Sequence, residues 1–189
     1  MVKVRLYLVR HGKTMFNTIG RAQGWSDTPL TAEGERGIQE LGIGLRESGL
    51  QFERAYSSDS GRTIQTMGII LEELGLQGKI PYRMDKRIRE WCFGSFDGAY
   101  DGDLFMGIIP RIFNVEHVHQ LSYAELAEGL VEVDTAGWAE GWEKLSGRIK
   151  EGFEAIAKEM EEQGGGNALV VSHGMTIGTI VYLINGMHP

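Results

Sequence analysis

Short apolar runs that end in polar residues alternate along this chain with segments whose apolar residues recur every three or four positions. The first run, residues 2 to 9, is stopped by Arg10, His11 and Gly12 and predicts a buried strand with polar side chains at its carboxyl end. A polar, glycine-containing loop, residues 13 to 29, follows. Thr31 then caps a helix in which Ile38, Leu41 and Leu45 repeat at helical spacing until Gly49. Phe52 to Ser57 predicts a second strand, and Ser60 opens a helix through Ile64, Met67, Ile70, Leu71 and Leu74 to Gly75. Ile80 to Met84 predicts a third strand, followed by an aromatic turn-rich loop over residues 88 to 98. From 99 to 137 the periodicity is weak, although Leu104, Phe105, Met106, Ile108, Ile109, Ile112 and Phe113 form an apolar patch. Two readings fit that segment: a cap folded over the site, or a helical subdomain completing the core. Trp138 to Gln163 predicts a long helix, Ala168 to Ser172 a fully buried strand, and Met175 to Ile184 a final helix. Strands alternating with helices predict an α/β fold with a mostly parallel sheet.

Composition narrows the class. The 189 residues suit one domain, 1–189, with a local insertion at about 99–137. Nineteen Lys and Arg against 26 Asp and Glu give a formal charge of −7, which argues against a nucleic-acid partner or an anionic membrane surface. Cys92, as a single cysteine, excludes an internal disulfide. Lys3 and Arg5 interrupt the early apolar run, and no stretch is long enough to span a bilayer, so the expected setting is the reducing cytoplasm. The 27 glycines have no fixed period and imply tight turns and close backbone approaches.

Four ionisable residues fall just beyond the four predicted strands: His11, Arg62, Glu90 and His173. A parallel sheet brings such positions to one edge, where α/β proteins bind ligands. With Arg10 and Arg21 they form a local basic cluster in an acidic chain, which suits a phosphate group. Arg62 and Thr63 also lie in the first turn of a helix, where free N–H groups favour an anion. Each residue has a plainer reading on spacing alone: a salt bridge from Glu90 to Arg87 or Arg89, a solvated Arg62, a hydrogen-bonded core His173. His117 and His119 form an H-x-H pair, but no third ligand at suitable spacing supports zinc. Trp138 and Trp142 read as a packed helix face.

The ordered set Arg10-His11-Gly12-Lys13-Thr14 with Asn17, Gln23-Gly24, Asp27-Thr28-Pro29-Leu30-Thr31, Ser57-Ser58, Arg62-Thr63, Gln65-Thr66, Glu90, Phe93-Gly94, Gly98 and Ser172-His173-Gly174 resembles the histidine phosphatase superfamily, the phosphoglycerate-mutase-like family. The resemblance implies a three-layer α/β/α sandwich, no metal or other cofactor, and a phosphohistidine intermediate. His11 is then the nucleophile, held in one tautomer by an Nδ1–H bond to a backbone carbonyl. Arg10, Arg62 and His173 supply charge to the phosphoryl oxygens and Glu90 serves as the proton donor. Asn17, Arg21, Gln23, Gly24 and Gly174 complete a phosphate-binding set. The resemblance also implies further strand at the sheet edge beyond the last helix, and an open edge there offers a homodimer contact.

Departures from the mutase pattern favour a phosphatase acting on a small phosphorylated substrate. Mutases of the family follow this glutamate with Arg-His-Tyr-Gly, whereas Glu90 precedes Trp91-Cys92-Phe93-Gly94, and residues 99 to 116 carry Arg111 as their one basic residue. A cofactor-dependent phosphoglycerate mutase and a non-catalytic phosphate-binding module are the alternatives.

Overall fold

A computed structural model describes residues 2–186. Its sheet is wholly parallel and contains β1 (Val4–Arg10), β2 (Arg54–Ser57), β3 (Tyr82–Met84) and β4 (Gly166–Ser172), in the spatial order β1-β4-β2-β3. Successive strand residues point to opposite faces, and both faces are apolar, as expected for a sheet covered on each side. Leu6, Leu8, Tyr56, Ala168 and Val170 pack on one face, while Tyr7, Val9, Ala55, Leu169 and Val171 pack on the other.

The second face is covered by α2 (Ala32–Glu47) and α3 (Gly61–Glu73), through Ile38, Met67, Ile70 and Leu71. The first face is covered by α6 (Trp142–Glu162) and α7 (Gly174–Asn185), through Leu145, Ile149, Phe153, Ile156, Met160 and Ile180. The result is an α/β/α sandwich. Among the described residues β1 is an edge strand, and beside it a groove is lined by Leu6, Leu8, Phe153, Ala157, Ile180 and Leu183.

Two segments differ from the sequence expectation, and a third, 99–137, takes the helical form of one of its two readings. The loop of residues 13 to 29 contains a helix, α1 (Met15–Ile19), too short to show periodicity but closed by a capping box between Thr14 and Asn17. The segment 99–137 is largely helical: a π-helical stretch, Asp103–Ile108, runs into α4 (Ile109–Phe113), and α5 (Tyr123–Val133) begins at a Ser122–Glu125 capping box. Leu104, Ile109, Leu126, Ala127 and Leu130 from this segment join the same buried cluster as α6, and Phe105 packs against that cluster. The long helix starts at Trp142, because the Asp134 carboxylate draws residues 134–139 into a turn by accepting the N–H groups of Ala136, Trp138 and Ala139.

α2 approaches the end of β1 through Gly34. A Cβ there would stand 2.1 Å from the Lys13 carbonyl oxygen, so only glycine allows the helix this close to the His11–Lys13 turn.

Candidate active site

The register of the sheet creates the site. Arg10 pairs with Ser172 across β1 and β4, so the next residues, His11 and His173, emerge side by side with ring centroids 5.4 Å apart. The His11 N–H donates to the Ser172 carbonyl (3.1 Å) and the Gly12 N–H to Thr66 Oγ1 of α3 (3.0 Å), which fixes the turn between two elements.

His11 Nδ1 lies 2.8 Å from the Gly12 carbonyl oxygen. A carbonyl only accepts, so Nδ1 carries the proton and Nε2 holds a free lone pair. Burial, with Arg62 and Arg10 nearby, lowers the His11 pKa to about 4, so the ring is neutral near pH 7.

Arg62 is fully buried behind this pair. Nη1 donates to the Ser26 carbonyl (2.9 Å) and to Asp27 Oδ1 (2.8 Å); Nη2 donates to the Gly24 carbonyl (2.8 Å) and to His173 Nδ1 (2.9 Å). Its Nε has no hydrogen-bond partner among the described residues, and the side chain lines neither hollow of the site, so its charge acts on the cavity from behind the wall. The start of α3 already meets a carboxylate, since the Arg62 N–H points at Asp27 Oδ1.

The expectation that His173 supplies charge is corrected. Burial and the neighbouring Arg62 hold its pKa well below the usual histidine value. Its Nδ1 accepts from Arg62 and its Nε2 lies 2.7 Å from Ser58 Oγ, so the ring is a neutral bridge between α3 and the end of β2.

Glu90 forms neither of the surface salt bridges open to it. Arg89 pairs with Asp59, and Arg87 with Asp85 and Glu151. Instead the Glu90 carboxylate is buried at the amino end of α7. Oε1 accepts from the Trp91 N–H (3.0 Å), the Thr176 N–H (3.0 Å) and Thr176 Oγ1 (3.1 Å), while Oε2 accepts from the Met175 N–H alone (3.1 Å). Oε2 therefore keeps the greater capacity to carry a proton. Burial raises the Glu90 pKa, opposed by those amide donors and by Arg62.

The remaining residues divide into those that face the cavity and those that shape it. Two adjoining hollows share Arg10, His11, Asn17 and Asp101. One adds Lys13, and the other adds Arg21, Gln23, Glu90, Phe93, Phe105, Gly174 and Met175. Asn17 Oδ1 accepts the Thr14 N–H, so its NH2 group is the part left for a ligand. Gly174 lines the hollow beside Arg10, and a Cβ there would meet the Arg10 guanidinium only in ordinary contact, with Nε at 3.4 Å. Arg21 donates to the Gly98 carbonyl and stacks over Tyr100, 4.5 Å from the ring centroid. Gln23 bonds within its own loop, accepting from Thr14 Oγ1 and donating to Thr28 Oγ1. Gly24 lies behind the lining: its N–H donates to Asp97, and a Cβ would stand 2.3 Å from the Trp91 carbonyl oxygen.

Sequence reasoning missed three residues. The Asp97 carboxylate gathers the N–H groups of Gly24, Trp25, Ser26 and Phe93, tying the loop before α2 to the segment after Glu90. Arg148 of α6 holds the Glu90 backbone from behind. Its Nη1 donates to the Arg87 (2.8 Å) and Arg89 (3.1 Å) carbonyls, its Nη2 to the Glu90 carbonyl (3.3 Å), and the buried Glu140 carboxylate balances its charge. Asp101 brings a carboxylate to the cavity wall. Asp97, in Phe96-Asp97-Gly98, carried a turn signal; the other two looked like ordinary solvated charges. Among the described residues no group of three or more His, Cys, Asp or Glu is placed to hold a metal ion, and His117 makes a 3.8 Å surface contact with Glu116.

A fold in which a parallel sheet presents two histidines, an arginine and a buried glutamate at one edge defines a class of phosphoryl-transfer proteins. The chain belongs to the histidine phosphatase superfamily (branch 1), whose family model matches residues 6–189. It is 33% identical over 186 residues to a protein of Salmonella choleraesuis (strain SC-B67) named "Probable phosphoglycerate mutase GpmB", covering 97% of this chain and 76% of that one. Among solved structures, a phosphoglycerate mutase from Bacillus anthracis str. Sterne superposes with a TM-score of 0.91 at 36% identity, covering 97% of this chain and 80% of that one. The alpha-ribazole phosphatase from Shigella flexneri shares the fold, with a TM-score of 0.68 at 23% identity over 96% of this chain and 80% of that one.

Proposed function

We propose that the chain is a metal-independent phosphomonoester hydrolase that acts on a small phosphorylated metabolite through a phosphohistidine on His11. The observation carrying this reading is the His11 ring, whose Nδ1 is tied to the Gly12 carbonyl while Nε2 is left free in a cavity that also holds Glu90. In the first half-reaction the Nε2 lone pair attacks phosphorus and the ester P–O bond breaks. Glu90 gives its proton to the departing oxygen. In the second, water attacks phosphorus, Glu90 takes a proton from it, and the N–P bond breaks to release phosphate. Arg10 and the Asn17 amide on the cavity wall, backed by the buried charge of Arg62, supply positive charge and donors to the equatorial oxygens.

Hydrolysis is favoured over mutase chemistry by the walls of the cavity. Phe93, Phe105 and Met175 give it an apolar side, and Arg111 lies instead in a separate hollow with Gly102, Asp103 and Met106. A three-carbon acid with two phosphates would find no cation there from the segment 99–116. The names of the Salmonella and Bacillus anthracis relatives support the mutase as the second reading.

One experiment separates the two. Purified protein, with chelator present, should release phosphate from an aryl phosphate and accumulate an acid-labile phosphoenzyme, both lost in His11→Ala. Efficient interconversion of 3- and 2-phosphoglycerate with negligible phosphate release would replace this reading by the mutase.

A further inference from the structure

We propose that Asp101 is a specificity-determining charge filter on the leaving-group side of the cavity. It admits phosphomonoesters of neutral or cationic alcohols that offer a hydroxyl or ammonium donor, and it disfavours esters carrying a second anionic group. The inference deepens the hydrolase reading above and rests on it.

Four residues, Arg10, His11, Asn17 and Asp101, line both hollows of the site, so Asp101 borders the space next to the reacting phosphoryl group whichever way a leaving group extends. Its backbone is anchored, with its N–H donating to the Gly20 carbonyl (3.0 Å) beside the Arg21–Tyr100 bridge. Its carboxylate is exposed and has no hydrogen-bond or ion-pair partner among the described residues. The nearest cation along that bridge is engaged elsewhere, because Arg21 donates to the Gly98 carbonyl and lies over the Tyr100 ring. Asp101 thus stands on the cavity wall with no ion-pair partner among the described residues, although Arg10 and Lys13 line the same hollow. Glu90, the other carboxylate on these walls, is buried among backbone donors and assigned to proton transfer.

A carboxylate accepts hydrogen bonds and donates none, so it complements hydroxyl and ammonium groups. Phe93, Phe105 and Met175, which line one of the two hollows with it, suit the carbon skeleton that bears those donors. A second negative charge on the ester, held about 3–4 Å from the exposed Asp101 carboxylate, loses about five- to tenfold in kcat/KM at near-aqueous screening.

The test uses three aryl phosphates on one ring skeleton, bearing para-hydroxymethyl, para-aminomethyl or para-carboxyl groups, with wild type, Asp101→Asn and Asp101→Lys. Comparing variants on the same substrate cancels differences in leaving-group chemistry. The expected result is that the aminomethyl-to-carboxyl ratio of kcat/KM falls about tenfold in Asp101→Asn and falls further in Asp101→Lys. A merely structural Asp101 would lower all three rates together and leave the ratio unchanged in both variants; that result overturns the filter while leaving the hydrolase intact. Wild type that hydrolyses none of the three esters overturns the hydrolase reading, and the filter falls with it.

Discussion

Arg62 Nη2 lies 2.9 Å from His173 Nδ1, and because a guanidinium only donates, this contact sets the tautomer of the histidine. Nε2 then carries the proton and donates to Ser58 Oγ (2.7 Å), which in turn lies 2.8 Å from Thr63 Oγ1. All four side chains are buried, so the chain of bonds has a single direction from the cation to the start of α3.

Replacing Ser58 with Ala leaves the His173 Nε2–H without an acceptor. The expected cost is about 1–3 kcal/mol of folding stability, measured by urea denaturation at pH 7. Ser58→Thr should recover part of it by restoring a hydroxyl. Equal stability of wild type and Ser58→Ala would mean that the assigned direction of the chain is wrong.

The depressed His11 pKa makes stability depend on pH in a defined window. Between about 4 and 6.5 the unfolded chain holds a proton on this ring that the folded chain lacks, so stability rises with pH through that range and levels off above it. The contribution is on the order of 3 kcal/mol, and His173 acts in the same direction. His11→Asn should flatten the curve of unfolding free energy against pH between 4 and 6.5. A slope unchanged in that variant would show that His11 is not held neutral by its surroundings.

If Glu90 protonates the leaving oxygen, its removal should matter most when that oxygen is a poor leaving group. Glu90→Gln is expected to lower kcat/KM for an alkyl phosphate by roughly 10²–10⁴-fold and for a nitrophenyl phosphate by far less. A series of esters of graded leaving-group pKa reads this directly. Parallel losses across the series would assign Glu90 a purely structural part.

Arg148 and Glu140 form a pair in which neither charge can be lost alone. Arg148→Met leaves a carboxylate that is 4% exposed with only the exposed Lys144 Nζ at 4.0 Å, and should cost about 3 kcal/mol. Adding Glu140→Gln should return much of that stability. Activity should recover less than stability, since the carbonyls of Arg87, Arg89 and Glu90 still lack the guanidinium that gathers them. Calorimetry and turnover measured on the single and double variants separate the two effects.

What the sequence made legible follows from how its signals are encoded. His11, Glu90 and His173 each follow a strand or turn whose hydrophobic pattern is locally strong, and a parallel sheet turns that ordering into proximity. The segment 99–137 hid its helices because Leu104 and Ile109 are buried on a stretch that changes from π to α winding, which blurs any fixed period. The neutrality of His173 was not readable, since it depends on Arg62 arriving from another element. Arg148 looked like a solvated position on a long polar helix, and only tertiary packing turns it inward against Glu140.

Among the described residues β4 comes last in sequence and yet is an inner strand of the sheet, which bears on how the site forms. β4 lies between β1 and β2, so until residues 166–172 are in place neither of those strands has its pairing partner on that side, and His11 lacks the Ser172 carbonyl and Arg62 the His173 ring that join them. Pairings this distant along the chain carry a large loop-closure cost, which their burial must offset all at once. The site thus depends on contacts that β4 completes, and turnover regained after denaturation is expected to appear no earlier than the pairing of β4 with β1.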